Sequence, residues 1–135
     1  MRGYLKSFGS IILHDGTSRF AKEVKIATRA ATFTLVRTAA GGYFDPYGAN
    51  DAPTQLNQIQ STHLLKFASP SSLNLEIATL EAAIGTRATL TAVQMDGSPD
   101  QTCQARLIQM QRGSPKNSSR NEQITLTFQP VTEWA

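Results

Sequence analysis

The side chains that could carry out catalysis or hold a metal ion are few and widely separated in this chain of 135 residues. Its two histidines, His14 and His63, have no further histidine, cysteine or carboxylate at the spacing of a metal site. Its one cysteine, Cys103, lies in an alternating apolar segment, which is typical of a small buried side chain. The sequence contains neither a Gly-x-Ser-x-Gly nucleophile motif nor a phosphate-binding glycine loop. It therefore predicts a protein that is not an enzyme and that uses no metal and no cofactor.

A group of aromatic residues in the segment 39–55 suits protein binding instead. The segment reads AAGGYFDPYGANDAPTQ, and its glycines, prolines, Asn50 and Asp51 predict a loop. At about 17 residues it is longer than most structureless loops of compact domains, which indicates a functional loop or a contact arm. Because aromatic side chains are enriched in protein contacts, the candidate subunit-interface residues are Tyr43, Phe44, Asp45 and Tyr47. The alternative is that the aromatic residues fold back onto the sheet as a lid.

The formal net charge of +3 is distributed unevenly. Residues 1–37 contain seven basic and two acidic residues, a net charge of +5, and the remainder carries −2. Lys25, Arg29 and Arg37 have the same parity within the segment Phe20–Thr38, so they form a candidate basic face if that segment is a strand. Such a face could bind nucleic acid or an acidic protein surface. Because no aromatic stacking platform lies nearby, a solvated strand face is the favoured interpretation.

One stretch, Ser69 to Arg87, is predicted to be helical, over about residues 70–84. Leu73, Ile77, Leu80 and Ile84 share one face of a helix with 3.6 residues per turn. Ser69 is the predicted N-cap and Pro70 suits the first helical position, while Gly85 suits the position that follows the helix. Glu76 and Glu81 lie on other faces, where they are expected to remain in water. A single helix with one apolar stripe must pack against something, and the remaining chain offers a sheet.

Most of the remaining chain has the alternating pattern of β-strands. Strands are predicted at 58–67, 88–95, 102–111 and 123–131, and the last three follow one another as in an antiparallel meander. The longest candidate, Phe20–Thr38, changes phase, which indicates a bulge, two strands or a strand that passes between sheets. The segment 113–122, GSPKNSSRNE, is predicted to be a polar loop. We therefore expect a mainly β protein, with residues 1–135 forming one antiparallel β-sandwich or barrel-like domain and one packed helix.

Composition also bears on the compartment. One cysteine excludes an internal disulfide and is consistent with a reducing environment. No apolar run approaches the roughly 20 residues of a membrane helix. The N-terminal segment has no sustained apolar region followed by a small-residue cleavage site, so a signal peptide and membrane contact are not expected.

The order of these segments resembles a family of viral proteins. A basic strand and loop, AKEVKIATRAATFTLVRTAAGGYFDPYG, precede a strand and the helical stretch LNLEIATLEAAIGTRATLTAV. CQARLIQM and ITLTFQPVTEW complete the series. This order is similar to that of the distal tail proteins and small minor tail proteins of long-tailed bacteriophages. The resemblance covers about residues 21–134 and rests on order and pattern, without a catalytic motif.

The resemblance implies a tail-tube-like fold and a structural role in the virion. In that family a β-sandwich with one helix forms a hexameric ring that joins the end of the tail tube to the tip or baseplate hub. The implied partners are further copies of the chain, the tail tube protein and the tip protein, with DNA only passing through the lumen. Synthesis would take place in the cytoplasm of the host bacterium. With 135 residues there is no room for a carbohydrate-binding extension, so the resemblance implies a ring adaptor.

In such a ring the long loop would reach a neighbouring subunit. The polar loop would contact a stacked ring, with candidate residues Arg112, Lys116, Asn117 and Arg120. Sheet edges left open in one subunit would be covered by the next. Tail tube and tail terminator subunits share this fold and remain alternatives. A small nucleic-acid-binding β-barrel module is the alternative of another class, and an enzyme is the weakest hypothesis.

Overall fold

The structure is a computed structural model that describes residues 2–113 and 120–135. The described residues form twelve β-strands and one α-helix. The strands of the first half are β1 (Arg2–Phe8), β2 (Ile11–Ile12), β3 (Arg19–Ala21), β4 (Val24–Lys25), β5 (Arg29–Ala31), β6 (Val36–Arg37), β7 (Tyr43–Phe44) and β8 (Thr54–Leu56). The second half contains β9 (Ile59–Lys66), α1 (Pro70–Ala83), β10 (Arg87–Gln94), β11 (Gln101–Arg112) and β12 (Asn121–Pro130).

Eight of these strands form one antiparallel sheet. Its order is β2-β1-β10-β11-β12-β9-β3, and β4 pairs with β1 beside β2. The sheet curls into a nearly closed, barrel-like structure. The expected mainly β fold with one helix is therefore confirmed. The expected meander is confirmed as well, because β10, β11 and β12 are successive neighbours in the sheet.

The core lies inside the curled sheet and contains the apolar side chains that the alternation predicts. Ile124, Leu126 and Phe128 of β12 are at most 1% exposed, and the ring of Phe128 lies 5.2 Å from that of Phe8. On β11 the predicted inward residues Cys103, Ala105 and Leu107 are buried. Alternating side chains of an antiparallel strand point to opposite faces, and Gln123 and Thr125 accordingly keep exposed surface, whereas Thr127 is buried.

Helix α1 closes one side of this core. The hydroxyl of Ser69 accepts a hydrogen bond from the backbone N–H of Ser72, Pro70 opens the helix, and Gly85 follows it with a φ of +89°. Leu73, Ile77 and Leu80 are buried as predicted. The prediction for Ile84 is wrong, because this residue is 41% exposed. Ile84 is the C-cap with an extended backbone, so its side chain leaves the helical stripe and Ala83 completes the buried face.

The segment Phe20–Thr38 is not one long strand. It contains the end of β3 and the short strands β4, β5 and β6, which belong to three separate sheets. The change of phase in the sequence, between Ala30 and Phe33, falls where the chain passes from β5 to β6. From about residue 27 to residue 56 the chain forms a separate extension, which we call the arm, and we call the remaining described residues the body.

A candidate interaction arm

The arm is built from two short antiparallel ribbons in series. Strands β5 and β8 pair at its root, and a further hydrogen bond of 2.7 Å joins the N–H of Thr32 to the carbonyl of Pro53. Strands β6 and β7 pair beyond them. Neither ribbon belongs to the main sheet. The chain thus leaves the body and returns to it as a paired extension.

Local sequence explains the turn at the end of the arm. Thr38 donates its backbone N–H to the carbonyl of Gly42 at 2.7 Å, and its hydroxyl accepts the N–H of Gly42 at 3.1 Å. Between them Gly41 has a φ of +86°, in the left-handed region that glycine adopts without steric cost. The turn therefore brings Arg37 opposite Tyr43 and starts the return strand.

The arm exposes its apolar side chains. Every residue from 31 to 46 is exposed. The large apolar residues of this stretch are 46–67% exposed: Phe33, Leu35, Val36, Tyr43 and Phe44. Because large apolar side chains exposed together often belong to interaction surfaces, the arm is a candidate interaction site.

The register of β6 and β7 divides these residues between two faces. Val36 pairs with Phe44 and Arg37 pairs with Tyr43. Because directly opposed residues project to the same face of an antiparallel pair, one face carries Val36 and Phe44. The other face presents a cation beside an aromatic ring. Arg37 is the only charged residue between Ala30 and Phe44.

The root of the arm is held to the body by polar contacts. The guanidinium of Arg29 pairs with the carboxylate of Glu133 and donates to the hydroxyl of Thr54 at 3.1 Å. The side-chain amide of Gln129 donates to the carbonyl of Leu56 at 3.4 Å. An open hollow of about 530 Å³ lies beside this root, between residues 55–58 and 129–131. These contacts fix the base of the arm, whereas every residue of its outer part, from 31 to 46, is exposed.

The predicted interface residues occupy different positions in the arm. Tyr43 and Phe44 lie on β7 near the turn and are exposed, whereas Tyr47 is half-buried. Asp45 stabilises the next turn, because its carboxylate accepts the N–H of Tyr47 at 2.9 Å. The prediction of an irregular loop over 39–55 is wrong at β7 and at the start of β8. Sequence reasoning missed Phe33, Leu35 and Val36 as surface residues, because it included them in the long strand candidate Phe20–Thr38.

The candidate basic residues do not form one strand face. Lys25 lies on β4 beside β1, Arg29 lies on β5 and pairs with Glu133, and Arg37 lies on β6. The shared parity of these residues does not place them on one face, because the chain passes from one sheet to another twice between Lys25 and Arg37. Elsewhere in the basic first part of the chain, ion pairs join Arg2 to Glu23, Lys6 to Asp100, and Arg19 to both Asp15 and Glu76.

The candidate residues of the polar loop are partly engaged within the chain. Arg112 donates two hydrogen bonds of 2.8 Å to the carboxylate of Glu122, which is 3% exposed. Arg120 is exposed, and its carbonyl accepts the N–H of Phe67 at 3.0 Å. Lys116 and Asn117 lie outside the described residues. Strand β12 begins at Asn121, so the predicted loop 113–122 extends two residues too far.

A charged cluster on the body was not predicted from the sequence. The guanidinium of Arg19 donates to both carboxylate oxygens of Glu76 at 3.0 and 2.9 Å and to Asp15 at 2.9 Å. Burial opposes the charge of Asp15, but hydrogen bonds from the backbone N–H groups of residues 17–19 outweigh it and lower its pKa. Hydrogen bonding to Glu76 raises the pKa of Arg19. These side chains, which we call the Arg19 cluster, join α1 to the segment before β3. The expectation that Glu76 remains in water is wrong.

Inside the body, His63 and Cys103 have the surroundings of structural residues. His63 is 1% exposed, and burial lowers its pKa to about 4, although a contact with the backbone of Leu13 opposes this shift. Burial raises the pKa of the Cys103 thiol to about 11. Both groups are therefore uncharged at neutral pH. A thiol that stays protonated is a poor nucleophile and a poor metal ligand.

The described residues contain no group of three histidine, cysteine or acidic side chains that could hold a metal ion. Within the same residues no helix has the length and apolar character needed to cross a bilayer. Comparison of the chain with protein-family models, with curated proteins and with solved structures found no match.

Proposed function

We propose that this protein is a non-enzymatic structural subunit that assembles through its arm, and that the assembly is the tail of a long-tailed bacteriophage. The observation that supports assembly is the arm itself, with its continuous exposed stretch and its apolar side chains. A body that buries its own core has no need of this extension for folding. Its composition instead suits burial against another protein.

The physical chemistry of the arm favours a bound state. An isolated two-stranded ribbon is at best marginally stable in water. The ribbon of β6 and β7 has two residues in each strand, so it gains order when a partner covers it. Aromatic and aliphatic side chains with little charge are the usual centre of a protein interface. Binding would therefore bury the aromatic residues of the arm and, in the same step, order its outer half.

The place of this subunit within a tail is proposed from the sequence resemblance. Like the distal tail proteins that the sequence resembles, the chain combines a β-sandwich-like body, one helix after a strand, and a closing hairpin. On this proposal a homo-oligomeric ring at the distal end of the tail joins the tail tube to the tip or baseplate hub within the virion. Tail tube and tail terminator subunits would use the same kind of ring at other positions.

Nucleic-acid binding is less well supported than assembly. Four of the seven basic residues before position 38 are paired with carboxylates, namely Arg2, Lys6, Arg19 and Arg29. The aromatic side chains on β7 are accompanied in the ribbon of β6 and β7 by a single cation, Arg37. A nucleic-acid surface needs several unpaired cations along a groove, together with aromatic stacking positions.

The test is the assembly state of the purified chain. Mass photometry and light scattering coupled to size exclusion should reveal oligomers, and negative-stain images should show rings or stacked tubes. The double variant Tyr43→Ser/Phe44→Ser should be monomeric, because it removes two exposed aromatic side chains without touching the core. The double variant Thr91→Ala/Thr102→Ala, on the body, is the matched control. A wild-type chain that stays monomeric at every concentration and salt condition, and whose size does not respond to the arm substitutions, contradicts the proposal.

A further inference from the structure

A shallow groove on the body lies between α1 and the hairpin of β1 and β2. It has a volume of about 230 Å³ and is lined by Ser10, Ile11, Ile12, Arg19, Glu76 and Thr79. Ile12 is 50% exposed at its edge. Leu75 precedes Thr79 by one helical turn, so it lies beside Thr79 on the helix surface, and it is 70% exposed. Ile12 thus gives the groove an apolar edge, and Leu75 adds an exposed apolar side chain on the helix surface next to the lining residue Thr79.

Two members of the Arg19 cluster, Arg19 and Glu76, line the groove, and Asp15 lies next to it as the second carboxylate that contacts Arg19. Two carboxylates, Asp15 and Glu76, share one guanidinium, so the cluster carries a net charge of −1. Its hydrogen bonds tie α1 to the segment before β3, and this holds the floor of the groove in one geometry. A complementary ligand would bring apolar surface to the edges and one positive charge towards the floor.

We propose that this groove receives the arm of a second copy of this chain, with the face that carries Arg37 and Tyr43 directed into it. The inference rests on the proposed assembly and names the surface that the arm binds. Tyr43 would pack between Ile12 and Leu75, and Arg37 would approach the carboxylates of the Arg19 cluster. The pairing matches an aromatic ring with the exposed apolar side chains of Ile12 and Leu75, and a cation with a charged cluster whose net charge is −1.

The arm itself is the occupant that fits these features best. The ribbon of β6 and β7 carries one charge, the positive charge of Arg37. This charge is opposite in sign to the net charge of the Arg19 cluster. Within one chain the arm does not fill the groove, because residues 31–46 and the side chains of Ile12 and Leu75 are all exposed. Contact between an arm and a different surface of the next copy is heterologous, and repetition of such a contact closes a ring when the rotation permits.

Two variants, each disrupting one side, test this contact. Arg37→Glu/Tyr43→Ser removes the arm face, and Leu75→Glu places a negative charge at the groove edge. Each should weaken self-association at least about 30-fold, the effect of losing one interface hot spot. Lys25→Glu is the matched charge control for the arm variant. Ala78→Glu is the control for the groove variant, because it adds the same charge on the far flank of the exposed face of α1.

Mixing the two disrupted variants is the decisive measurement. In an equimolar mixture the intact arm of the Leu75→Glu chain can bind the intact groove of the arm variant. One functional contact per pair should then produce 1:1 heterodimers, while each variant alone stays monomeric by mass photometry. Circular dichroism and thermal unfolding verify that both variants fold, as expected for residues on the surface.

Three results would overturn the inference. If Leu75→Glu assembles like wild type while the arm variant does not, the arm binds elsewhere and only the proposed assembly survives. If the mixture yields no heterodimer, an intact arm does not bind an intact groove, and the arms of two copies contact each other instead. If wild-type chains do not associate at all, both the groove contact and the proposed assembly fail.

Discussion

Phe128 in the body and Phe44 in the arm both lie on β-strands, yet Phe128 has no exposed surface whereas Phe44 is 52% exposed. The body folds its strands into a nearly closed sheet, so that its inward side chains bury one another. The arm pairs its strands two at a time, and a two-stranded ribbon has no interior. The comparison shows that the body buries its own apolar side chains, whereas the arm leaves them exposed; on the proposed function, a second molecule covers them. A substitution in the body should therefore change the free energy of unfolding, whereas the same substitution in the arm should change self-association.

The largest expected effect comes from removing the same ring in both regions. Phe128→Ala should lower the free energy of unfolding by about 3–5 kcal/mol, because it deletes a fully buried side chain that contacts Phe8. Phe44→Ala should change it by less than about 0.5 kcal/mol, the usual range for surface positions. Both values should be measured by denaturant unfolding at a concentration where the chain is monomeric, because association adds stability. Equal losses would mean that the arm belongs to the cooperative core.

The second expected effect is a pH dependence that belongs to the body alone, since the arm has no histidine. The folded-state pKa of His63 is about 4, below its unfolded value of 6.5, so the unfolded chain binds the proton more tightly. The stability that neutral His63 contributes is fully present above pH 6.5 and is lost as the pH falls towards 4. The loss should reach about 3 kcal/mol at pH 4.

The variant His63→Leu isolates this contribution from the carboxylates that titrate in the same range. Its free energy of unfolding should fall less steeply between pH 6.5 and 4 than that of the wild type, by urea unfolding at each pH. Parallel pH profiles for the two chains would show that His63 is not held neutral by burial. A loss of assembly at pH 5 without a loss of monomer stability would place the sensitive group in the arm contact instead.

The third comparison concerns two arginine–glutamate pairs. Arg112→Ala should cost about 2 kcal/mol, because it leaves the carboxylate of Glu122, which is 3% exposed, without its partner. Arg29→Ala at the root of the arm should cost less than about 1 kcal/mol, because both members of its pair are exposed. Thermal unfolding of the two variants at low and high salt measures the difference. If the two variants lose the same stability, and high salt abolishes both losses, burial of Glu122 does not strengthen its ion pair with Arg112.

The body was largely predictable from the sequence, because its residues follow local rules that the fold does not override. Alternation identified the inward residues of β11 and β12, and the cap, proline and glycine signals located α1 within one residue. The same rules failed at Ile84 and at Glu76. Periodicity predicts a face of the helix, but it does not predict where the backbone leaves the helix or which cation approaches from another segment.

The arm was predictable in composition and not in structure. Its aromatic residues and its length indicated a contact arm, but β6 and β7 are too short to produce a visible alternation. Phe33, Leu35 and Val36 look like core residues in the sequence. An apolar residue gives the same sequence pattern whether its side chain is buried in the core of its own chain or covered by a partner protein. The groove between Ile12 and Leu75 depends on two segments more than 60 residues apart, and single-sequence patterns do not report such proximity.

The smallest expected effect concerns two glycines with nearly the same backbone. Gly85 after α1 has a φ of +89° and Gly41 in the arm turn has a φ of +86°, and an added Cβ would meet nothing within 4 Å at either position. Gly85→Ala should therefore cost about 1 kcal/mol of global stability through backbone strain alone. Its N–H donates to the carbonyl of Leu107 at 2.6 Å, so the strained residue is tied to the body sheet and cannot relax without disturbing it.

The same strain at Gly41 can be relieved by opening the turn, because the outer arm contributes nothing to the core. Gly41→Ala should leave the thermal unfolding of the monomer within about 0.3 kcal/mol of wild type, while amide exchange near residues 38–42 becomes faster. Equal destabilisation by the two substitutions would show that the arm turn unfolds together with the body. A large loss for Gly85→Ala alone, combined with weaker assembly for Gly41→Ala, would place the two glycines in separate cooperative units, one that holds the monomer together and one that joins monomers.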